Sequence, residues 1–195
     1  MLTLFHAPRS RSSRILWLLE ELGADCEVRR VSIRRMDGSG ERDPGNPHPA
    51  GQVPAILHDG AVVSESSAVV LYLTDLFPGS EMGRAIGHPE RAAYLTWLAY
   101  YAGVIEPAVT AHFLDAAKPG TPFGRLYEEM VDRLSTTLSQ QDYLLGPTVS
   151  AADILLASVM QWAASAMPDL DVLRAHLDRM QARPALARAM ARDDA

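Results

Sequence analysis

The sequence predicts an α/β domain with a mixed sheet, followed by an all-α helical bundle. Three observations carry this. Residues 1–78 alternate short strand patterns with helical ones in the order β-α-β-loop-β-β-α. A polar, Gly-rich segment, 79–87, reads as a linker. From residue 88 to 195 strand patterns nearly vanish and helical spacing takes over.

"LTLFH" (2–6) is a short apolar run ahead of Pro8 and fits a buried strand. In "SSRILWLLEELG" (12–23), Ile15, Leu16, Leu18, Leu19 and Leu22 recur at helical spacing, between a serine start and a glycine stop. "EVRRVSI" (27–33) resumes a strand, and strand-helix-strand over about thirty residues makes a parallel pair. Residues 34–52 are dense in Gly, Pro, Asn and Asp and form a long loop with room for a short helix. "PAILH" and "AVVS" flank Asp59-Gly60, a tight-hairpin signal. A helix from about Glu65 to Phe77 stops at Pro78-Gly79. Four helical segments follow, at 89–114, 123–141, 150–166 and 169–183; the tail after Pro184 is weakly specified.

Composition narrows the function classes. The chain has 195 residues, 48% hydrophobic and 22% charged, as expected for a soluble globular protein. No window is long and apolar enough for a membrane span, and charge interrupts the N-terminal apolar run by Arg9, so neither a signal peptide nor a membrane partner is expected. Net charge is −6 without a basic block, which argues against nucleic acid. One cysteine, Cys26, excludes an internal disulfide and suits the cytoplasm; it reads as a small packed residue. The six histidines show no metal-ligand spacing, so no metal is expected.

The stretch "GQVPAILHDGAVVSESSAVVLYL" (51–73) concentrates the functional signals. A cis Val53–Pro54 bond would turn the chain and leave the Val53 backbone free to pair with an extended peptide. At the next helix entrance, backbone N–H groups and the Ser66 hydroxyl offer an anion site, and Glu65 can accept from an ammonium. Ordinary helix capping would explain Glu65 and Ser66 equally well. "SAAD" (150–153) reads as a structural capping box, Ser150 with Asp153.

These residues add up to a resemblance. "GQVP" before the third strand and "ESSAVVLYL" after the fourth resemble a cytosolic, bacterial-type glutathione S-transferase. "FHAPRSRSSRILWLLEELG" is similar to the N-terminal strand and catalytic turn of that family, and "YLLGPTVSAADILLAS" to the buried motif of its helical domain. The resemblance implies a thioredoxin-like glutathione domain and a helical domain that supplies the second-substrate pocket. It implies that Val53, through the Pro54 turn, holds the cysteinyl part of glutathione, with Glu65 and Ser66 at the γ-glutamyl end and Gln52 near the glycyl end. Arg34, Arg35 and His48 are further loop candidates there, His48 reading better as a solvated side chain. It also implies a homodimer, and a pocket for a small hydrophobic electrophile against the helix of Trp97, Tyr100 and Tyr101.

Glutathione's thiol is mostly protonated at neutral pH and its thiolate is the nucleophile. The turn "RSRSSR" holds Ser10, Ser12 and Ser13 but no tyrosine or cysteine. In serine-using relatives the working hydroxyl lies four residues before a helix arginine; counting back from Arg14 gives Ser10, with Ser12 second and also the N-cap candidate. The implied activity is attack on an electrophile, or reduction of a peroxide or disulfide. A non-catalytic ligand-binding or regulatory protein is the alternative.

Overall fold

The computed structural model describes residues 1–193, and the chain forms two compact units. The first comprises Met1–Ser80 together with the segment from Pro184 onward; the second is Glu81–Arg183.

In the first unit the elements are β1 (Leu2–His6), α1 (Ser13–Leu22), β2 (Glu27–Arg30), β3 (Ala55–His58), β4 (Ala61–Ser64) and α2 (Ser66–Leu76). The sheet order is β2-β1-β3-β4; β1 and β2 are parallel, while β1–β3 and β3–β4 are antiparallel. This is the mixed sheet of a thioredoxin-like fold. Asp59 and Gly60 both adopt positive φ, 48° and 85°, the backbone that a two-residue hairpin turn matching strand twist requires. β1 is buried along its whole length, and Ile15, Leu16, Leu18 and Leu19 of α1 and Val69, Val70 and Leu73 of α2 are fully buried. β2 ends at Arg30, short of the expected Ile33, although the Val31 N–H still donates to the His6 carbonyl at 2.9 Å. No helix forms within 34–52; the loop is built of turns. Pro54 lies one residue ahead of β3, so its missing N–H costs no ladder bond although that strand is paired on both sides.

In the second unit, Met82 and Arg84 are buried within the stretch that reads as a polar linker. The Arg84 guanidinium donates to the Glu90 carboxylate at 2.7 Å, to the carbonyls of Glu81 and Gly83, and to the Thr148 hydroxyl. The expected long helix 89–114 is α3 (Arg91–Tyr100), a π-helical turn (Tyr101–Ile105) and α4 (Glu106–Phe113). The interruption has a local cause: Pro107 has no N–H to give, and its ring would clash with the carbonyl four residues back, at Gly103. α5 (Pro122–Gln140), α6 (Ala151–Trp162) and α7 (Asp171–Gln181) complete the bundle. Thr121 caps α5 by accepting the Gly124 N–H at 3.1 Å. α6 is apolar nearly all round and buried. At its entrance Asp153 accepts the Ser150 N–H and hydroxyl and the Leu144 N–H, each at 2.8 Å, a purely structural arrangement.

The segment after Pro184 forms a further helix, α8 (Pro184–Asp193), and joins the first unit, where the sequence reading had run the helical domain to 195. Pro184 is tolerated at the first helical position, where no intrahelical N–H is needed. α8 packs against α1 and buries Ala185, Ala189 and Asp193, each four residues apart. Arg188 and Arg192 both reach Glu20 of α1, at 2.8 and 2.7 Å. Those two guanidinium groups hold the Glu20 carboxyl below its ordinary value, Arg192 contributing most. A carboxyl whose folded-state pKa is depressed stabilises above its unfolded value and loses that contribution as pH falls through the folded value. Lowering the pH from neutral should therefore loosen α8 first. Amide exchange in α8, corrected for intrinsic rates, should speed up on acidification, and Glu20→Gln should raise it at neutral pH and flatten that dependence. Unchanged α8 protection in Glu20→Gln would show that the ion pairs do not anchor the helix.

Candidate active site

Strand register gathers the site. Phe5 pairs with Ala55, and Ala55 with Ser64, so the end of β1, the start of β3 and the end of β4 lie side by side. The turn after β1, the segment leading into β3 and the entrance of α2 all meet at that sheet end.

The Val53–Pro54 bond is cis. Val53 is buried in an apolar cluster with Phe5, Ala7 and Ala55. Among the described residues its N–H and C=O carry no hydrogen bond. The preceding loop is fixed by Asn46, a residue the sequence reading passed over. Its buried side-chain amide donates to the Gln52 carbonyl at 2.9 Å, and its oxygen accepts the His48 N–H at 3.0 Å. The only sequence signal for it was the turn-forming Asn-Pro pair. His48 is buried, where a solvated side chain was expected. Its Nδ1 accepts the Ala50 N–H at 3.0 Å, and its Nε2 lies 4.0 Å from a Glu65 oxygen. Gly51 has φ +64°, and a Cβ there would come within 2.5 Å of the Arg42 side chain, so this turn requires glycine. Gln52 is exposed beside it.

At the α2 entrance Glu65 adopts φ 71°, ψ 126°, a conformation that costs a non-glycine residue roughly 1–3 kcal/mol. Its carboxylate makes no capping bond and stays 81% exposed. The first intrahelical bond runs from the Val69 N–H to the Glu65 carbonyl at 2.9 Å, so the Ser66 N–H lies ahead of the ladder. Ser66 itself is buried at the first helical position. Capping therefore does not account for this pair.

In the turn after β1 the serines separate. Ser10 is partly exposed; its hydroxyl donates to the Ala7 carbonyl at 2.6 Å and lies 2.8 Å from the Ser12 oxygen. Ser12 is fully buried. Its oxygen lies 2.8 Å from His6 Nδ1 and accepts the Ala7 N–H at 3.1 Å. Ser12 occupies the position before α1 yet makes no capping bond to that helix. Its side chain ties the turn to β1. The Ser13 oxygen accepts the Ser10 N–H at 3.2 Å. Arg9 holds φ 53°, a second strained residue, and Arg35 donates to the Pro8 carbonyl at 2.9 Å. Cys26 is buried, and burial pushes its thiol up to about 11, so it is no nucleophile at neutral pH.

In the second unit Tyr101 is buried in the bundle, whereas Tyr100 keeps some exposed surface. The Arg133 guanidinium lies over the Tyr100 ring at 3.9 Å and the Trp97 ring at 4.7 Å. Among the described residues no group of three His, Cys, Asp or Glu side chains is arranged to hold a metal.

Comparison with known proteins agrees with this architecture. Residues 1–75 match the family model of the glutathione S-transferase N-terminal domain, and residues 123–192 that of the C-terminal domain. The chain is 26% identical to glutathione S-transferase GstA of Escherichia coli O157:H7, with 96% of each chain covered. It is 31% identical to Protein LigF of a Sphingobium species, over 71% of this chain and 73% of that one. A sphingomonad glutathione S-transferase solved in complex with glutathione superposes with a TM-score of 0.79 at 27% identity, covering 98% of both chains. Fold, paired domain matches and full-length relatives agree: the chain belongs to the bacterial-type cytosolic glutathione S-transferase family of enzymes.

Proposed function

We propose that this chain binds glutathione at the shared end of β1, β3 and β4 and turns its thiol into a thiolate that attacks a small hydrophobic electrophile. The observation that carries the reading is the convergence there of three different recognition elements. The Val53 backbone has an open donor and acceptor for the cysteinyl residue. The Ser66 N–H and hydroxyl at the positive end of α2 suit the γ-glutamyl carboxylate, and the exposed Glu65 suits its ammonium. Gln52 stands exposed on the side where the glycyl end would run. The sphingomonad relative solved in complex with glutathione supports the same ligand.

Ser10 and Ser13 are both partly exposed at the α1 entrance; Ser13 is already the first helical residue and its oxygen accepts the Ser10 N–H at 3.2 Å, which leaves Ser10 as the serine of the turn itself. A free thiol has a pKa near 8.5, and bringing it to about 6.5 requires roughly 2.7 kcal/mol. A helix N-terminus typically contributes about 0.3–1 kcal/mol. A hydrogen bond to a charged acceptor contributes about 1.5–3 kcal/mol. The hydroxyl is therefore the larger part and the helix assists. With the thiolate formed, conjugation to an electrophile or reduction of a peroxide or disulfide uses the same nucleophile. Of Tyr100 and Tyr101, the two aromatic candidates for the electrophile pocket, Tyr100 is the one that is not fully buried. A cytoplasmic homodimer acting in detoxification fits the family and the single buried thiol; among the described residues no helix is long and apolar enough to cross a membrane.

Glu65→Ala and Ser66→Ala should each weaken glutathione binding about tenfold or more, measured by calorimetry, because each removes a partner of a charged group. Unchanged affinity in the folded double variant would refute this assignment. Ser10→Ala should raise the bound thiol's pKa by about 1–2 units while glutathione still binds, read from thiolate absorbance against pH. An unshifted titration would move the role to a backbone N–H. Sedimentation at micromolar concentration should give twice the chain mass, and a monomeric mass would rule out the dimer.

A further inference from the structure

Behind Ser10 a line of polar groups runs into the first unit and ends on α8. The Ser10 and Ser12 oxygens are 2.8 Å apart, the Ser12 oxygen is 2.8 Å from His6 Nδ1, and His6 Nε2 faces Asp193 Oδ1 at 3.4 Å. His6 is fully buried and Asp193 nearly so. His6 Nε2 and Asp193 Oδ1 are buried polar atoms that meet at ion-pair distance and have no hydrogen-bond partner. Asp193 is held in place from two sides. Its Oδ2 accepts the Arg9 N–H at 2.9 Å, and its carbonyl accepts from the Arg30 guanidinium at 3.0 Å. The bond to the Arg9 N–H accounts for Asp193 Oδ2 but not for the imidazole that faces Oδ1, two hydroxyls from the surface.

The polarity of the line follows from its ends. An ionised carboxylate only accepts, so it selects the His6 tautomer with the proton on Nε2. Nδ1, at 2.8 Å, then accepts the Ser12 hydroxyl proton in competition with the Ala7 carbonyl at 3.2 Å. The Ser12 oxygen, which also accepts the Ala7 N–H, is left to accept from Ser10. The Ser10 proton can lie toward Ser12 or toward the Ala7 carbonyl at 2.6 Å, and in either case the Ser10 oxygen keeps a lone pair for an incoming proton.

We infer that Ser10, Ser12, His6 and Asp193 form a proton relay that carries the glutathione thiol proton from the surface to the buried imidazole. This rests on the glutathione site proposed above. The S–H bond breaks as its proton passes to the Ser10 oxygen. The Ser10 proton passes to Ser12, and the Ser12 proton to His6 Nδ1. The products are a thiolate accepting a hydrogen bond from Ser10 and an imidazolium against Asp193, with no proton gained or lost. Ser10 is the catalytic residue, since it touches the sulfur; Ser12, His6 and Asp193 are positioning residues that act through it. The charged groups facing His6 are Asp193, Arg30 and Arg192. Burial holds the His6 pKa below its ordinary value, Asp193 opposes that shift, and the two arginines add to it. His6 is therefore neutral at neutral pH before the proton arrives. A nearby thiolate adds the negative charge that favours its protonated form.

The test uses the whole protein and follows the His6 ring nitrogens by NMR near neutral pH. Glutathione should convert His6 from the neutral to the imidazolium signature as thiolate absorbance appears. S-methylglutathione, which has no thiol proton, should bind and leave His6 neutral. Asp193→Asn, similar in shape, should lower the bound thiolate-to-thiol ratio about tenfold at fixed pH, equivalent to one pKa unit, with glutathione affinity retained. Ser12→Ala should uncouple the two signals. A neutral His6 alongside a full thiolate signal, or an Asp193→Asn protein with an unchanged thiol pKa, would overturn the relay while leaving the glutathione site standing. Absence of glutathione binding in the unmodified protein would overturn the site, and the relay with it.

Discussion

The functional half of this molecule depends on the pairing of β3 between β1 and β4. Because β3 runs antiparallel to both neighbours, its first residue, Ala55, sits beside the last turn of β1 and the last residue of β4. A shift of one residue would send every side chain of β3 to the opposite face and carry Val53 away from Phe5 and Ala7. The hairpin at Asp59-Gly60 sets one side of that register, and the buried alternation of β1 and β3 sets the other. Three loops with no regular structure of their own thereby hold fixed positions.

Two of the four described non-glycine residues at positive φ lie at the same place: Arg9 and Glu65 stand at the two helix entrances on that sheet end, while Asp59 is in the hairpin and Asp115 in the second unit. Strain of this kind persists where the surroundings over-determine it. Here the surroundings are visible. The Arg9 N–H is held by a buried carboxylate, and Glu65 is fixed between a paired strand and the first bond of α2.

The strands, the hairpin, the helical domain and the Val-Pro and Glu-Ser motifs were legible because each rests on local chemistry: alternation, turn residues and helical spacing. The rest depends on contacts between residues distant in sequence. Ser10, Ser12 and Ser13 are chemically alike over four positions, and only the packing of α1 on β1 buries Ser12 and leaves the other two partly exposed. His48 and Asn46 sit in a loop rich in turn formers, where burial depends on contacts with residues distant in sequence. α8 went unseen because its buried stripe is alanine, a weak apolar signal, and because Pro184 reads equally as a stop or as a first helical residue. His6 looked like one more strand residue, and its partner Asp193 is 187 positions away, beyond any local pattern.

The return of α8 also makes the first unit discontinuous: the whole of Glu81–Arg183 is inserted between its two pieces. A ribosome releasing the chain from its N-terminus exposes every residue of the second unit before the first unit receives its last helix. The bundle can therefore close on its own sequence while the sheet waits. The bond from the Arg9 N–H to Asp193 spans 184 positions, and a contact so distant forms late and slowly. The bundle is then both a domain and the tether that brings the last helix of the first unit home.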